Sequence, residues 1–329
     1  MPWRGEKDPY KIWISEIILQ QTRVAQGLEY YNRFIKAFPT IHDLAKAQEA
    51  DVYKLWEGLG YYTRCKNIIH TAKYISHDLN GVFPKTYEEI LKLKGIGDYT
   101  ASAIASFAFG LPHAVVDGNV YRVLSRYFGM YEPVDSPSGK KKFNLLANEL
   151  LDKQYPGLYN QAIMDFGADV CTPRGVNCNI CCLKTKCVAF KTNTVGDLPV
   201  KEKRILIKHR WFYYLVIKCK SKYYIQKRSS KDIWQNLYEF LLIETPTAHS
   251  LKEIKATSAF KKIMHGTGYT ITEVSPLIKQ KLTHQNLHIQ FIQIEIAKPL
   301  DNDKGYELVS GSKIALLPFP KTIASYITA

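Results

Sequence analysis

Four closely spaced cysteines constrain this chain more than any other feature: Cys171, Cys178, Cys181 and Cys187 follow a C-x6-C-x2-C-x5-C spacing in one short loop. The chain has seven cysteines, an odd number, and five of them lie between 171 and 187. The N-terminus, MPWRGEKDPY, lacks the basic and apolar regions of a secretory signal, so a cytoplasmic location is expected. An odd, clustered set without an export signal argues against a disulfide scaffold and for a metal site. Zinc sites usually pair two tight C-x2-C knuckles. Here one tight pair stands among uneven gaps, which suits a [4Fe–4S] cluster better and leaves zinc as the alternative. Cys182 is a spare thiol beside that spacing.

The hydrophobic pattern changes once along the chain. Residues 10 to 190 read as a run of helices: "DPYKIWISEIILQQTRVAQGLEYYNRFIKAF", "ADVYKLWEGLG", "TRCKNIIHTAKYISHDL", "TYEEILKLKG", "DYTASAIASFAFG", "NVYRVLSRYFG", "KKFNLLANELLDKQY" and "YNQAIMDFGADVC". A polar, basic stretch, 191–207, reads as a linker. Beyond it come β-rich runs, "RWFYYLVIKC", "KYYIQKR", "LYEFLLIE" and "LHIQFIQIEIA", with one helix, "SLKEIKATSAFKKIMHG". The expected architecture is an all-α domain over 1–190 that includes the cysteine loop, a linker over 191–207, and a smaller α+β domain over 208–329. No run approaches 18 apolar residues, so no membrane span is expected. The formal net charge is +15 and the pI about 9.3, which favours a polyanionic partner, nucleic acid before an acidic membrane surface.

Three further stretches carry chemistry. In "WISEIILQQT", Glu16 is the one carboxylate on a helix whose three- and four-residue neighbours include Ile12, Trp13 and Leu19. Such burial raises a carboxyl pKa toward the range useful to a general acid. In "LKGIGDYTA", Gly95 and Gly97 lie between two helices; the turn can offer backbone N–H groups to a phosphate, or be a plain αα turn. In "VVDGNVYRVLSR", Asp117 begins a helix and reads as an N-cap, whose N–H contacts are expected to depress its pKa and keep it ionised.

Together, Pro2-Trp3-Arg4, "DPYKIWISEIILQQTRV", "GLGYYTR" (58–64), "LKGIGDYTA", "VVDGNVYRV" and the cysteine loop occur in the order seen in MutY-type adenine DNA glycosylases of the endonuclease III-like helix–hairpin–helix superfamily. The chain resembles that family densely over 2–190. The C-terminal part resembles its Nudix-like domain more weakly. The resemblance implies a monomeric base-excision-repair enzyme acting on double-stranded DNA. It would remove adenine mispaired with 8-oxoguanine or guanine, leave an abasic site, and have little or no lyase activity. By the same resemblance, Glu16 protonates the adenine, Asp117 stabilises the sugar cation, and Tyr99 and Asn119 hydrogen-bond in the pocket. Trp3, Arg4 and Gln161 neighbour the adenine. Gln21, Thr22 and Tyr61 face the opposite base or its strand, with Tyr61 as a wedge.

"KLTHQNLH", 281–288, corresponds to the family's lesion-reading Phe-Ser-His loop. Thr283 keeps the serine hydroxyl, His284 is retained, and Leu282 replaces the aromatic. Nearby, the helix "SLKEIKATSAFKKIMHG" has only Glu253 in place of the Glu-rich Nudix signature, so pyrophosphatase activity is not expected. Two rivals remain. A bifunctional endonuclease III-like enzyme needs a lysine nucleophile where this chain has Tyr99. A catalytically silent lesion-binding protein would have no use for Glu16 and Asp117 together.

Overall fold

The computed structural model describes residues 1–202, 206–300 and 305–328, so residues 203–205 of the expected linker lie outside the described residues. The chain forms two compact units: residues 1–47 with 66–204, and residues 48–65 with 205–329. The helical pattern of 48–65 gave no sign that this segment groups with the β-rich part.

The first unit is helical. Pro9–Leu19 starts after Asp8, whose carboxylate accepts from the Tyr10 N–H, with Pro9 in the first turn, where its missing N–H costs nothing. The long stretch expected from residue 8 to Pro39 is two helices, Pro9–Leu19 and Val24–Ala37. The break falls at Gln20–Arg23, where Gln21 adopts a left-handed φ of 56°. Trp13, Ile14 and Ile18 are buried on the first helix and Phe34 on the second. Asp98–Phe109 is a helix of small residues, with Ala101, Ala103, Ile104 and Ala105 fully buried, and this lets the Pro9–Leu19 helix pack close to it. Gly118–Phe128 is capped by Asp117 and stopped by left-handed Gly129. Its apolar face joins Phe143, Ala147 and Leu151 in one core cluster. The polar stretch after 190 is not free. The Leu198 carbonyl accepts from Arg126 Nε, the Val200 carbonyl from the Val134 N–H, and Asp135 from the Glu202 N–H.

The second unit is built on a mixed eight-stranded sheet: β1 (Lys208–Cys219), β2 (Lys222–Lys227), β3 (Tyr238–Glu239), β4 (Leu241–Thr245), β5 (Tyr269–Val274), β6 (Ile278–Lys281), β7 (Gln285–Ile296) and β8 (Glu307–Ser310). β1 and β7 run parallel in register from Lys208 opposite Gln285 to Cys219 opposite Ile296. β1 is nearly continuously apolar from Trp211 to Ile217, as a strand covered on both faces requires, whereas β7 alternates, burying Leu287, Ile289, Phe291 and Ile294 between half-buried polar residues. The expected helix at 250–266 is two short ones, Leu251–Ala256 and Ser258–Ile263, because Thr257 ends the first and caps the second. β5, β6, β8 and the helices Gly311–Leu316 and Lys321–Thr328 carried no expectation.

A buried ionic network pins this sheet. Arg210 binds Asp232 with two nitrogens and Glu244 with two. Arg228 donates to Glu239 at 2.5 Å and to Asp232 at 3.0 Å, and Tyr214 and Gln226 complete the Glu239 oxygens. Removing one partner from such a network leaves a buried charge exposed to a low dielectric. Glu239→Ala should therefore cost about 3–5 kcal/mol, read as a drop in the denaturant midpoint of the full chain. An unchanged midpoint would mean that the network contributes nothing to stability.

Candidate active site

Glu16 is buried, with 7% of its surface exposed, on the inner face of the Pro9–Leu19 helix. One hydrogen bond reaches it from the facing helix: the Tyr99 hydroxyl donates to Glu16 Oε2 at 2.7 Å. Burial pushes the Glu16 carboxyl up from 4.5 to about 7; Tyr99 pulls it down, and the nearby Asp117 charge pushes it up again. Burial likewise raises Tyr99 well above its ordinary value, with Glu16 and Asp117 adding to it. So Glu16, Tyr99 and Asp117 interact electrostatically, although they stand on three separate elements.

Asp117 accepts from the N–H groups of Asn119 and Val120, both at 2.8 Å, and from Asn119 Nδ2 at 2.8 Å. The N-cap is as expected, but the direction of its pKa is not. Burial raises Asp117 above its ordinary value and outweighs the lowering by the three hydrogen bonds and by Arg122. The Asn119 side chain is itself held: its Oδ1 accepts from Arg122 Nη2 at 2.8 Å. Arg122 also donates to the Gly167 and Cys171 carbonyls at 2.5 and 2.7 Å. This arginine ties the Asp117–Asn119 turn to the start of the cysteine loop, a role for which its position mid-helix gave no sequence signal. Gly167 must lack a side chain here, because a Cβ would come within 2.7 Å of the Asn119 Cβ and 2.9 Å of its carbonyl.

Arg4 and Gln161, expected beside the base, converge on a residue that sequence reasoning did not single out. Arg4 Nη2 and Gln161 Nε2 donate to the same oxygen, Asp165 Oδ1, at 2.6 and 2.9 Å. Trp3 is half-buried, edge-on to Tyr31 at 5.2 Å. Gln21 is exposed and Thr22 half-buried on the turn after the Glu16 helix, with the Thr22 N–H bonded to the Leu19 carbonyl.

At the hairpin, Gly95 has a φ of 83° and lies so close to Asn67 that a Cβ would come within 2.5 Å of it. Gly97 caps the Asp98–Phe109 helix with nothing within 4 Å of where its Cβ would be, so its backbone is open to a large ligand. The Thr71 hydroxyl holds the Lys94 carbonyl and steadies the turn.

In the other unit, Tyr61 directly follows Gly60, has a left-handed φ of 49° and is 44% exposed. The Arg64 guanidinium lies over its ring at 5.3 Å. The Tyr61 and Thr283 hydroxyls are hydrogen-bonded to each other, which joins two candidates 222 residues apart. Thr283 and His284 are exposed in the tight turn between β6 and β7, closed by the Leu282 N–H on the Gln285 carbonyl.

Cys171, Cys178, Cys181 and Cys187 line one cavity whose other walls are largely apolar, among them Val123, Phe166, Val170 and Leu183. Arg126 Nη1 lies 3.4 Å from Cys171 Sγ, and Cys187 Sγ faces the Arg126 carbonyl at 3.4 Å. Cys182, by contrast, is exposed. Among the described residues, no three His, Cys, Asp or Glu side chains are gathered as a single metal ion would require.

Known proteins share this combination of domains. Residues 14–149 match the HhH-GPD superfamily base excision DNA repair protein model, and residues 212–329 match a NUDIX domain model. The chain is 35% identical over 306 residues to the adenine DNA glycosylase of Buchnera aphidicola subsp. Schizaphis graminum, spanning 92% of this chain and 86% of that protein. The corresponding protein of Buchnera aphidicola subsp. Baizongia pistaciae is 36% identical over 91% of this chain and 82% of its own length. Among solved structures, a thermostable thymine-DNA glycosylase matches with a TM-score of 0.53 at 30% identity, over 58% of this chain and 88% of that one. A trapped endonuclease III–DNA intermediate shares the fold, with a TM-score of 0.51 at 22% identity. A helical glycosylase unit and a Nudix-like unit thus occur in one polypeptide whose relatives match over most of their length, and the chain belongs to the adenine DNA glycosylase family.

Proposed function

We propose that this adenine DNA glycosylase excises adenine paired with 8-oxoguanine, and with guanine, by hydrolysing its N-glycosidic bond to leave an abasic site. The observation that carries the reading is the buried Glu16 carboxyl, bonded to Tyr99 and pushed up to about 7. Adenine leaves poorly unless protonated, and an acid that titrates near neutral pH can protonate it. Asp117, fixed by three hydrogen bonds, is the group to stabilise the positive sugar left behind. Two carboxylates in different environments, one donating a proton and one opposing charge, divide the work as in glycoside cleavage. The Tyr99 hydroxyl holds Glu16 and has no amine with which to form a Schiff base, which favours hydrolysis over lyase chemistry.

The target nucleotide has to leave the duplex to reach a buried acid. The open backbone at Gly97 and the basic surface would hold phosphates without reading sequence. Since the excised base is normal, the opposite base carries the information. In the second unit the paired hydroxyls of Tyr61 and Thr283, with His284, are the groups to read it, and in the first unit Gln21 and Thr22 are candidates by family resemblance. The glycosylase domain would end at 190 and the Nudix-like domain begin at 208, with segment 48–65 grouped with the latter.

Cys171, Cys178, Cys181 and Cys187 would hold a [4Fe–4S] cluster. A shared, apolar cavity suits a polynuclear group that sits between its thiolates, whereas zinc draws its four to about 2.3 Å from one centre. When bound, the cluster would brace the loop that Arg122 and Arg126 join to the Asp117 helix.

Glu16→Gln should lower single-turnover adenine release by at least ~10²–10⁴-fold while lesion-duplex binding persists; release within tenfold of the wild type would remove Glu16 from the mechanism. Asp117→Asn should also stop release yet keep the fold, since asparagine caps a helix as well as aspartate. The acid works protonated and Asp117 works ionised, so the rate should fall as pH rises through about 7 and fall again at lower pH, where Asp117, itself raised by burial, takes up a proton. Tyr99→Phe removes a bond that lowers the Glu16 pKa, so the midpoint of the fall near pH 7 should move to higher pH. For the cysteines, iron and sulfide analysis of the purified protein should find both in the wild type and in Cys182→Ser. Zinc alone would contradict the cluster.

A further inference from the structure

We propose that Asp165 is a positioning residue for base specificity: it orients the Gln161 amide so that its carbonyl oxygen is presented to the 6-amino group of the extruded adenine. This inference rests on the reading of Gln161 and Arg4 as neighbours of the base. The Gln161 Nε2 donates to Asp165 Oδ1 at 2.9 Å, one turn along the Pro156–Asp165 helix. A carboxylate that also receives an arginine is an acceptor only. It therefore fixes which end of the amide is which: the NH2 turns toward Asp165 and Oε1 turns away from it.

Pairs four apart on a helix are common and often mean nothing. Here the same oxygen is approached from 161 residues away by Arg4 Nη2, at 2.6 Å. One carboxylate thus holds both side chains, and the next turn of chain packs on the Asp117 site through Gly167 and Asn119. A base carrying an amino group donates to Oε1. A base with a carbonyl there, such as hypoxanthine, places two acceptors against each other. A site with a fixed polar partner rejects the wrong partner far more strongly than a shape-selective pocket does.

The test is the ratio of single-turnover release rates for adenine and hypoxanthine, each opposite 8-oxoguanine. Taking a ratio within each variant cancels differences in leaving-group chemistry. Asp165→Ala frees the amide to turn either way, and the adenine preference should fall about tenfold or more. Asp165→Asn, which can offer its own NH2 to Gln161, should lower it too, and serves if the alanine variant loses its thermal midpoint or its duplex binding. Gln161→Ala should lower the ratio as well, and adding Asp165→Ala to it should change the ratio no further, as two members of one unit require.

A wild-type ratio in both Asp165 variants, with the ratio lost in Gln161→Ala, would overturn the role of Asp165 and leave the placement of Gln161 standing. A wild-type ratio in Gln161→Ala would remove both. An equal additional loss from Asp165→Ala in the Gln161→Ala background would show that Asp165 acts by another route.

Discussion

A carboxyl group removed from water has three options: to pair with a cation, to collect hydrogen bonds that stabilise its anion, or to keep its proton. Glu16 and Asp117 use different ones. Glu16 has a single phenol donor among Trp13, Ile12 and other buried apolar side chains, and its proton is held to about neutral pH. Asp117 collects three N–H donors at the start of a helix and is influenced by the Arg122 charge beyond them. The small residues of the Asp98–Phe109 helix let the Glu16 helix come close enough for Tyr99 to reach it. The missing side chain at Gly167 makes room for Asn119.

The same helix that begins at Asp117 runs past the cysteines. Arg122 bonds the Cys171 carbonyl and Asn119; Arg126 bonds the Thr172 carbonyl and lies against Cys171 Sγ. The cysteine loop is therefore mechanically part of the site rather than a remote appendage. Loss of order in the loop would reach Asp117 through a chain of hydrogen bonds.

Local features were legible in the sequence, and long-range ones were not. Glu16 stood out because a lone acid interrupts an apolar helical face, and Asp117 because it precedes a helix. Its raised pKa was hidden, since burial comes from residues far along the chain and outweighs the cap. The switch from helices to strands near 208 followed from periodicity, but the grouping of 48–65 with the sheet did not, because an amphipathic helix does not announce what covers it. Asp165 and Arg122 were invisible for the same reason: their partners lie 161 and 49 residues away. The meeting of Tyr61 with Thr283 rests on a left-handed residue after Gly60 that only the three-dimensional structure brings to the β6–β7 turn.

Burial in the fold itself keeps a proton on Glu16 near neutral pH, before any substrate arrives. Carbon-13 carboxyl NMR of the free enzyme, with the Glu16 resonance assigned by its loss in Glu16→Gln, measures this directly. The Glu16 resonance should titrate with a midpoint of about 7. A midpoint near 4.5, the ordinary value for a glutamate, would contradict it: the pocket would then not be dry, and the proton for the departing adenine would have to come from elsewhere.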